Sequence, residues 1–428
     1  MNITIEKGSL AGNVRVIQSK SFGHRIMLSE ALARMTSGSE TKILLDNMSE
    51  DIQATRRVIK VLEEGGTLLD CGESGTTIRF MVPVAAAIGK NEKIRLTGHG
   101  RLMERPMDPL IEAMKPHGVE LIKEEGCWLC RGHLTPGEYT IAANVSSQYI
   151  SGLLFALPLL KGNSVLNLTG TVESRPYIDI TLDVLRRFGI QIVEEADNRF
   201  FIPAPQTYVG PELMAVEGDW SNAAFWLVAG AIGGEAVTVE GLNPTSVQGD
   251  MAVVNVLKQF GAKVSIGTVE EDGTAKVTCS AVPGSLKGIE LDASHIPDMV
   301  PAISIVAAVA SGDTKICNAG RLRVKESDRL VTTGAMLEAL GVKVTEGEDY
   351  LVIHGLGTET CTGRFKGGDS MEITIDGAGD HRIVMSGAVA ASVANKPVTI
   401  LGAEAVNKSY PGFFEEREKL WQVHTEND

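Results

Sequence analysis

Five cations stand where an α-helix disfavours them. The segments SKSFGHR (19–25), ESGTTIR (73–79), SSQ (146–148), GDWSN (218–222), PD (297–298) and GDHR (379–382) each open an apolar run of helical length. Ser, Thr and Asp at such places cap free backbone amides. Capping does not account for Lys20, Arg25, Arg79, His381 and Arg382, because a cation at a helix N-terminus opposes the dipole at roughly 0.3–1 kcal/mol. An anion bound there reverses the penalty, held by amides and side chains together. The chemistry indicated is recognition of highly anionic small molecules where helix starts converge.

A second pattern agrees. RLRVKESDRL (321–330) holds Lys325 and Arg329 four residues apart, so on a helix they would share one face. Its cation recurs: counting from the loop Gly, Gly100 leads to Arg105, Gly170 to Arg175 and Gly320 to Lys325, each five residues on, and Gly402 leads to Lys408 at six. The phrases RLMERPMDPL (101–110) and RLRVKESDRL match at Arg, Leu, the cation, Asp and Leu. Competing chemistry is weak. There is no GxxxxGK(S/T) loop, no GxGxxG after a strand and no HExxH, and GESGT (72–76) lacks the second Gly of a serine elbow.

The elements that must position these residues are written as a repeat. The chain has 428 residues, 43% hydrophobic and 22% charged, enough for two or three domains. An alanine-rich apolar segment ends at a Gly or Asn (38, 89, 162, 234, 312, 395), and a short β-branched run follows. Next come a loop and an amphipathic helix. Most of those helices finish on a shared phrase: MKPHGVELI (114–122), LRRFGIQIV (185–193), LKQFGAKVS (257–265), LEALGVKVT (337–345). The Gly there predicts a left-handed cap, and the alternation beyond it a strand. CWLCRG, RFFIP and YLVIHG add a further strand. The repeated unit reads strand–helix–strand–helix–strand–strand, in six copies split three and three. The predicted fold is α/β, two similar domains of three such units with buried central helices. Residues 1–19 plus 219–428 form one domain and 20–218 the other, with the N-terminal strand joining the later units.

Composition excludes several classes. A formal net charge of −14 leaves no long-range basic field for nucleic acid. The start MNITIEKGSL has no apolar signal core, and no run approaches the ~20 apolar residues of a membrane span. Cys127 and Cys130 form a CxxC pair with no second pair to complete a zinc site, so no metal and no cofactor are expected.

SKSFGHR, GESGTTIRF, ERPMDPL, SSQYISGLL, SRPYIDIT, EGDWSNAAF, IPDMVPAI, RVKESDRL, GDHRIVM and NKSYPGFF, in this order over essentially the whole chain, resemble the 5-enolpyruvylshikimate-3-phosphate synthase family of enolpyruvyl transferases. The resemblance implies transfer of the enolpyruvyl group of phosphoenolpyruvate to the 5-hydroxyl of shikimate 3-phosphate, with release of phosphate through a tetrahedral intermediate. It implies an active site in the interdomain cleft. Carried over by position, Lys20, Arg105, Arg329, Arg382 and Lys408 match the phosphoenolpyruvate-binding cations, with Gly75 and Gln148 close by. Ser21, Arg25, Ser146, Ser147, Ser174, Asp298 and Lys325 match the shikimate-phosphate set, flanked by Arg175 and Tyr177. The reaction needs one group to deliver a proton to carbon and another to accept one from the hydroxyl, and the candidates are Glu326 and Lys20 around the methylene and phosphate and Asp298 at the 5-hydroxyl. Gly75 is unsubstituted, so glyphosate, a phosphoenolpyruvate-site ligand in that family, is expected to inhibit. Glu73, Arg321 and Gly379 depart from the common pattern, and Glu73 calls for a compensating cation such as Arg79 or Lys20. A cytoplasmic monomer is expected, acting on these two small molecules.

Two alternatives stand beside this reading. The sister transferases acting on UDP-N-acetylglucosamine carry a reactive Cys in a loop of the second unit, and HGRLMERPMD (99–108) has none. A non-catalytic anion-binding repeat protein would need no carboxylates such as Asp298 and Glu326 among its cations.

Overall fold

Four stretches of the chain build the same four-stranded sheet. In the computed structural model, which describes residues 1–88, 91–195, 198–357, 365–368 and 371–422, strand Leu68–Asp70 lies parallel to Lys93–Thr97. The latter pairs antiparallel with Cys127–Gly132, which pairs in turn with Val119–Glu124. The strands Glu138–Ala142, Ser164–Thr169, Val193–Glu195 and Arg199–Ile202 repeat this order, as do Glu290–Asp292, Ser311–Cys317, Lys343–Glu346 and Leu351–Leu356. The fourth sheet draws its first strand from far upstream: Gly12–Arg15 lies parallel to Val237–Leu242, and Lys263–Ile266 and Ala275–Ser280 complete it.

Two copies are reduced. Lys42–Leu44 pairs with Leu213–Ala215 alone, because helix Glu50–Glu63 runs within a few residues into Leu68–Asp70 and leaves no chain for two more strands. In the last copy, Ile373–Asp376 and Val398–Leu401 pair in parallel, and Asn2–Ile5 supplies the antiparallel strand. Among the described residues, the six-element pattern expected from the repeat is therefore complete in four copies.

The central helices are Lys20–Ser37, Gly75–Ile88, Ser147–Ala156, Trp220–Ile232, Val300–Val309 and His381–Ala390. Every residue of Trp220–Ile232, Val300–Val309 and His381–Ala390 is buried, as a helix apolar on all sides must be. These three pack on one another. The amphipathic helices end as expected: Gly118, Gly189, Gly261 and Gly341 have φ between 76° and 107°, which a side chain would strain. The ends of the central helices differ from the sequence reading. Gly38 is a left-handed cap, but Trp220–Ile232 stops at an extended Gly233, Gly312 already lies in a strand, and Gly89 lies outside the described residues.

Contacts divide the chain into two compact units, Met1–Ile17 with Glu217–Asp428, and Gln18–Val216. Each has its own apolar core.

Candidate functional site

In the Gln18–Val216 unit, polar bonds tie the starts of the central helices together. Ser19 caps the first of them by accepting from Phe22 N. Lys20, in its opening turn, donates to Asp51 Oδ2 at 2.7 Å. His24 Nδ1 meets Thr55 Oγ1 at 2.7 Å, Thr55 meets Thr77 at 2.6 Å, and Thr77 donates to Ser74 at 2.7 Å. Burial and the nearby cations Lys20 and Arg25 push the His24 imidazole well below its usual range, so it is neutral. Arg25 lies beneath the helix starts, 2% exposed. It donates to Thr181 Oγ1 (2.7 Å), the Ser21 carbonyl (2.8 Å), the Tyr177 carbonyl (2.9 Å) and Ser151 Oγ (3.3 Å). Burial lowers this guanidinium to about 9. It thus binds three helices into one frame around Ser21.

The second and third helices are joined by Arg79, which donates to Gln148 Oε1 at 2.6 Å and stands 5.0 Å over the Tyr149 ring. Gln148 Nε2 donates to Thr76 Oγ1 at 2.8 Å, and Ser146 caps its own helix through Gln148 N. Ser146 and Ser147 are both buried. Arg105, at the end of the 3-10 turn Gly100–Glu104, lays its guanidinium on Gly75 so closely that a Cβ there would be 2.5 Å from Nη1. Its Nε is buried without a hydrogen-bond partner. Ser174, 1% exposed, holds φ 53°, ψ 38° just before helix Arg175–Arg187; left-handed serine costs of order 1–3 kcal/mol and is concentrated at functional sites. The recurring cation at Arg175 is turned away into ion pairs with Asp179 (2.8 Å) and Glu194 (2.7 Å). Glu73 Oε1 stands 3.7 Å from His99 Nδ1, a partner not foreseen in the sequence.

The other unit holds a denser cluster. Asp298 Oδ1 accepts from Lys325 at 3.2 Å and from Arg329 at 2.8 Å, and Oδ2 lies 3.4 Å from Arg382 Nη2. Arg329, 1% exposed, also binds Asp380 through Nε at 2.7 Å and Nη2 at 3.1 Å, and Glu326 through Nη2 at 2.7 Å. Asp380 caps helix His381–Ala390 by accepting from Arg382 N at 2.9 Å. Lys408 donates to the Gly379 carbonyl at 2.8 Å.

The charges shift accordingly. Burial pushes the Lys325 ammonium down to about 8, against the pull of Asp298. Burial alone would lift Asp380, yet the Arg329 charge holds it below the ordinary carboxylate range. Arg329 itself, although buried, is kept firmly protonated by Asp380, Glu326 and Asp298.

One expectation from the sequence is corrected here. Lys325 and Arg329 do not share a helix face, because the helix starts at Arg329, with Asp328 as cap accepting from Val331 N. Lys325 is extended (φ −83°, ψ −160°) after the 3-10 turn Gly320–Val324. The two cations still converge, through Asp298. Arg323 is tied to Asp328 at 3.0 Å and Glu346 at 2.8 Å, and it braces the loop.

Thus Lys20, Ser21, Gly75, Ser146, Ser147, Gln148 and Ser174 lie at helix starts of one unit, with Arg25 beneath them and Arg105 laid on Gly75. Asp298, Lys325, Glu326, Arg329 and Arg382 lie together in the other, with Lys408 bound at Gly379 beside them. Asp51 and the Arg329–Asp380 pair were missed, since nothing in sequence spacing links residues 31 or 51 positions apart. Among the described residues no group of His, Cys, Asp and Glu is placed to hold a metal ion.

Comparison with known proteins gives a consistent result. The family model for EPSP synthase (3-phosphoshikimate 1-carboxyvinyltransferase) matches residues 5–416. The 3-phosphoshikimate 1-carboxyvinyltransferase of Clostridium kluyveri is 37% identical, over 98% of this chain and 97% of that protein, and that of Clostridium acetobutylicum 36%, over the same shares. Among solved structures, an EPSP synthase from Acinetobacter baumannii superposes with a TM-score of 0.78 at 26% identity, covering 98% of both chains. The enolpyruvyl transferase NikO from Streptomyces tendae shares the fold, with a TM-score of 0.73 at 17% identity, over 98% of this chain and 97% of that one.

Proposed function

The chain belongs to the EPSP synthase (3-phosphoshikimate 1-carboxyvinyltransferase) family, and from that premise we propose how its residues divide the reaction. The enzyme transfers the enolpyruvyl group of phosphoenolpyruvate to the 5-hydroxyl of shikimate 3-phosphate and releases phosphate. Lys20, Arg105, Arg329, Arg382 and Lys408 serve phosphoenolpyruvate, with Gly75 and Gln148 shaping that site. Ser21, Arg25, Ser146, Ser147, Ser174 and Lys325 serve shikimate 3-phosphate. Arg25 acts largely by fixing Ser21 and the Tyr177 carbonyl.

The observation that carries the reading is the convergence of Lys325, Arg329 and Arg382 on one carboxylate, Asp298. Asp298 and Glu326 neutralise cations that anionic substrates would draw to themselves. When a substrate phosphate or carboxylate draws those cations to itself, Asp298 is left to accept the proton of the attacking 5-hydroxyl. Glu326, held 2.7 Å from Arg329, and Lys20, held by Asp51, are the groups for proton delivery to the methylene and for the departing phosphate. The carboxylates inside the cation cluster supply proton-transfer groups, which anion binding alone does not require.

Mixing the protein with phosphoenolpyruvate and shikimate 3-phosphate and measuring phosphate tests this directly. No release, or release only with UDP-N-acetylglucosamine as acceptor, would overturn it. The reading further takes the enzyme as a cytoplasmic monomer that binds neither nucleic acid nor membrane. Its net charge of −14 supports the first exclusion. No helix among the described residues is long and apolar enough to cross a membrane.

A further inference from the structure

Behind the Asp298 cluster lies another carboxyl, on the 3-10 turn Gly249–Ala252. Asp250 is 2% exposed. Its Oδ2 accepts a hydrogen bond from Ser221 Oγ, in the first turn of helix Trp220–Ile232. Its Oδ1 is buried with no hydrogen-bond partner. A fully ionised carboxylate in that position would leave half its charge unsolvated, which is costly in a buried site. The charged groups acting on it come from three neighbouring elements: Asp298 from the turn Pro297–Met299, Arg382 from the start of helix His381–Ala390, and Asp219, the cap of helix Trp220–Ile232.

We propose that Asp250 is a positioning residue for the transfer reaction, a buried carboxyl that must carry its proton for Asp298 and Arg382 to meet an anionic substrate. This rests on the functional reading above. The cluster already holds Asp298, Glu326 and Asp380 against Lys325, Arg329 and Arg382. Ionised, Asp250 adds a negative charge beside the cations that serve phosphoenolpyruvate, and competes with the substrate for Arg382. Protonated, it leaves the cations to the substrate. Burial first, and then the Asp298 charge, lift this carboxyl to about 7, so both forms are within reach near neutrality. Ser221 opposes the lift by donating to the ionised form.

Asp250→Asn fixes the neutral form with little change of shape. The quantity to follow is kcat/KM for phosphoenolpyruvate, variant over wild type, between pH 6 and pH 8.5. Taking the ratio cancels the titration of the substrate's own phosphate. The ratio should rise about tenfold as the wild type loses its Asp250 proton, the effect of one pKa unit of charge–charge coupling. A ratio independent of pH overturns the proposal; a role in packing alone would change its level and not its slope. If D250N fails to fold, Ser221→Ala removes the donor to the ionised form. Its kcat/KM should then hold to higher pH than the wild type's, and an unmoved profile again overturns the idea. A carbon-13 spectrum of labelled Asp carboxyls provides a readout free of turnover. A resonance that titrates near pH 7 in wild type and vanishes in D250N supports the assignment even where phosphate release fails, and its absence refutes the assignment even where release succeeds.

Discussion

In the proposed substrate site the Arg105 guanidinium lies against Gly75, and Gly75→Ala turns that approach into a measurement. A Cβ built on Gly75 would stand 2.5 Å from Arg105 Nη1, 3.0 Å from Cζ and 3.3 Å from Nη2. Ordinary contact between heavy atoms is roughly 3.5–4.0 Å. The guanidinium therefore has to retreat by about 1 Å, and as the free end of a flexible side chain it can do so at little cost to the fold. Gly75 opens helix Gly75–Ile88 and has no positive φ, so alanine there meets no backbone strain and should leave the fold stable. A charge-assisted hydrogen bond is worth ~1.5–3 kcal/mol, about 10–100-fold in affinity, and a 1 Å misplacement forfeits most of it. Steady-state phosphate release should show KM for phosphoenolpyruvate raised about 10–100-fold, with KM for shikimate 3-phosphate changed far less and the melting temperature not lowered. An unchanged KM for phosphoenolpyruvate, with the variant folded, would refute both the steric argument and the assignment of Arg105.

Lys20→Met should remove at least ~100-fold of kcat, a typical share for a proton-transferring group, while circular dichroism reports an intact fold; near-normal turnover counts against Lys20. Arg329→Met strands the fully buried Asp380 without its cation, a loss of about 3–5 kcal/mol. Thermal unfolding should fall by roughly 10 °C at pH 7. Because Asp380 is depressed below the ordinary carboxylate range, its stabilisation is present above about pH 4 and fades as the pH falls through the lowered value, so the deficit should narrow in acid. A deficit independent of pH would contradict the pairing. Lys325, lowered to about 8 by burial, loses its charge as the pH rises through that value; KM for shikimate 3-phosphate should therefore climb above pH 8, and a flat profile to pH 9.5 would remove Lys325 from that site.

Much of the architecture was legible because it rests on local rules that recur. Gly118, Gly189, Gly261 and Gly341 sit where only glycine adopts the turn comfortably, and the alternating residues after them had to be strands. The cations at helix starts were legible for the opposite reason, as violations of a propensity. What escaped was decided by distant chain. The two-stranded sheet of Lys42–Leu44 follows from the short link after Glu63 and from a partner strand at Leu213–Ala215. The helix expected to carry both Lys325 and Arg329 is cut short by Asp328, whose capping role was readable but competed with an attractive i,i+4 spacing. The carboxylates that hold the cations, Asp51 for Lys20 and Asp380 for Arg329, are fixed only by folding.

The connectivity of the sheets also sets a timetable. Strand Gly12–Arg15 is synthesised before the entire 18–216 segment, yet its partner strand begins at Val237, and Asn2–Ile5 waits for Val398–Leu401. At about 5–20 residues per second, the ribosome keeps the first of these strands without its mate for roughly 10–40 s, and the second for about twice as long. During that interval the contiguous 18–216 unit can complete its own core while the leader strands remain exposed edges, open to wrong pairing. One unit is thus an insertion within the other, and strands Asn2–Ile5 and Gly12–Arg15 meet their partners only after the whole 18–216 segment has been made.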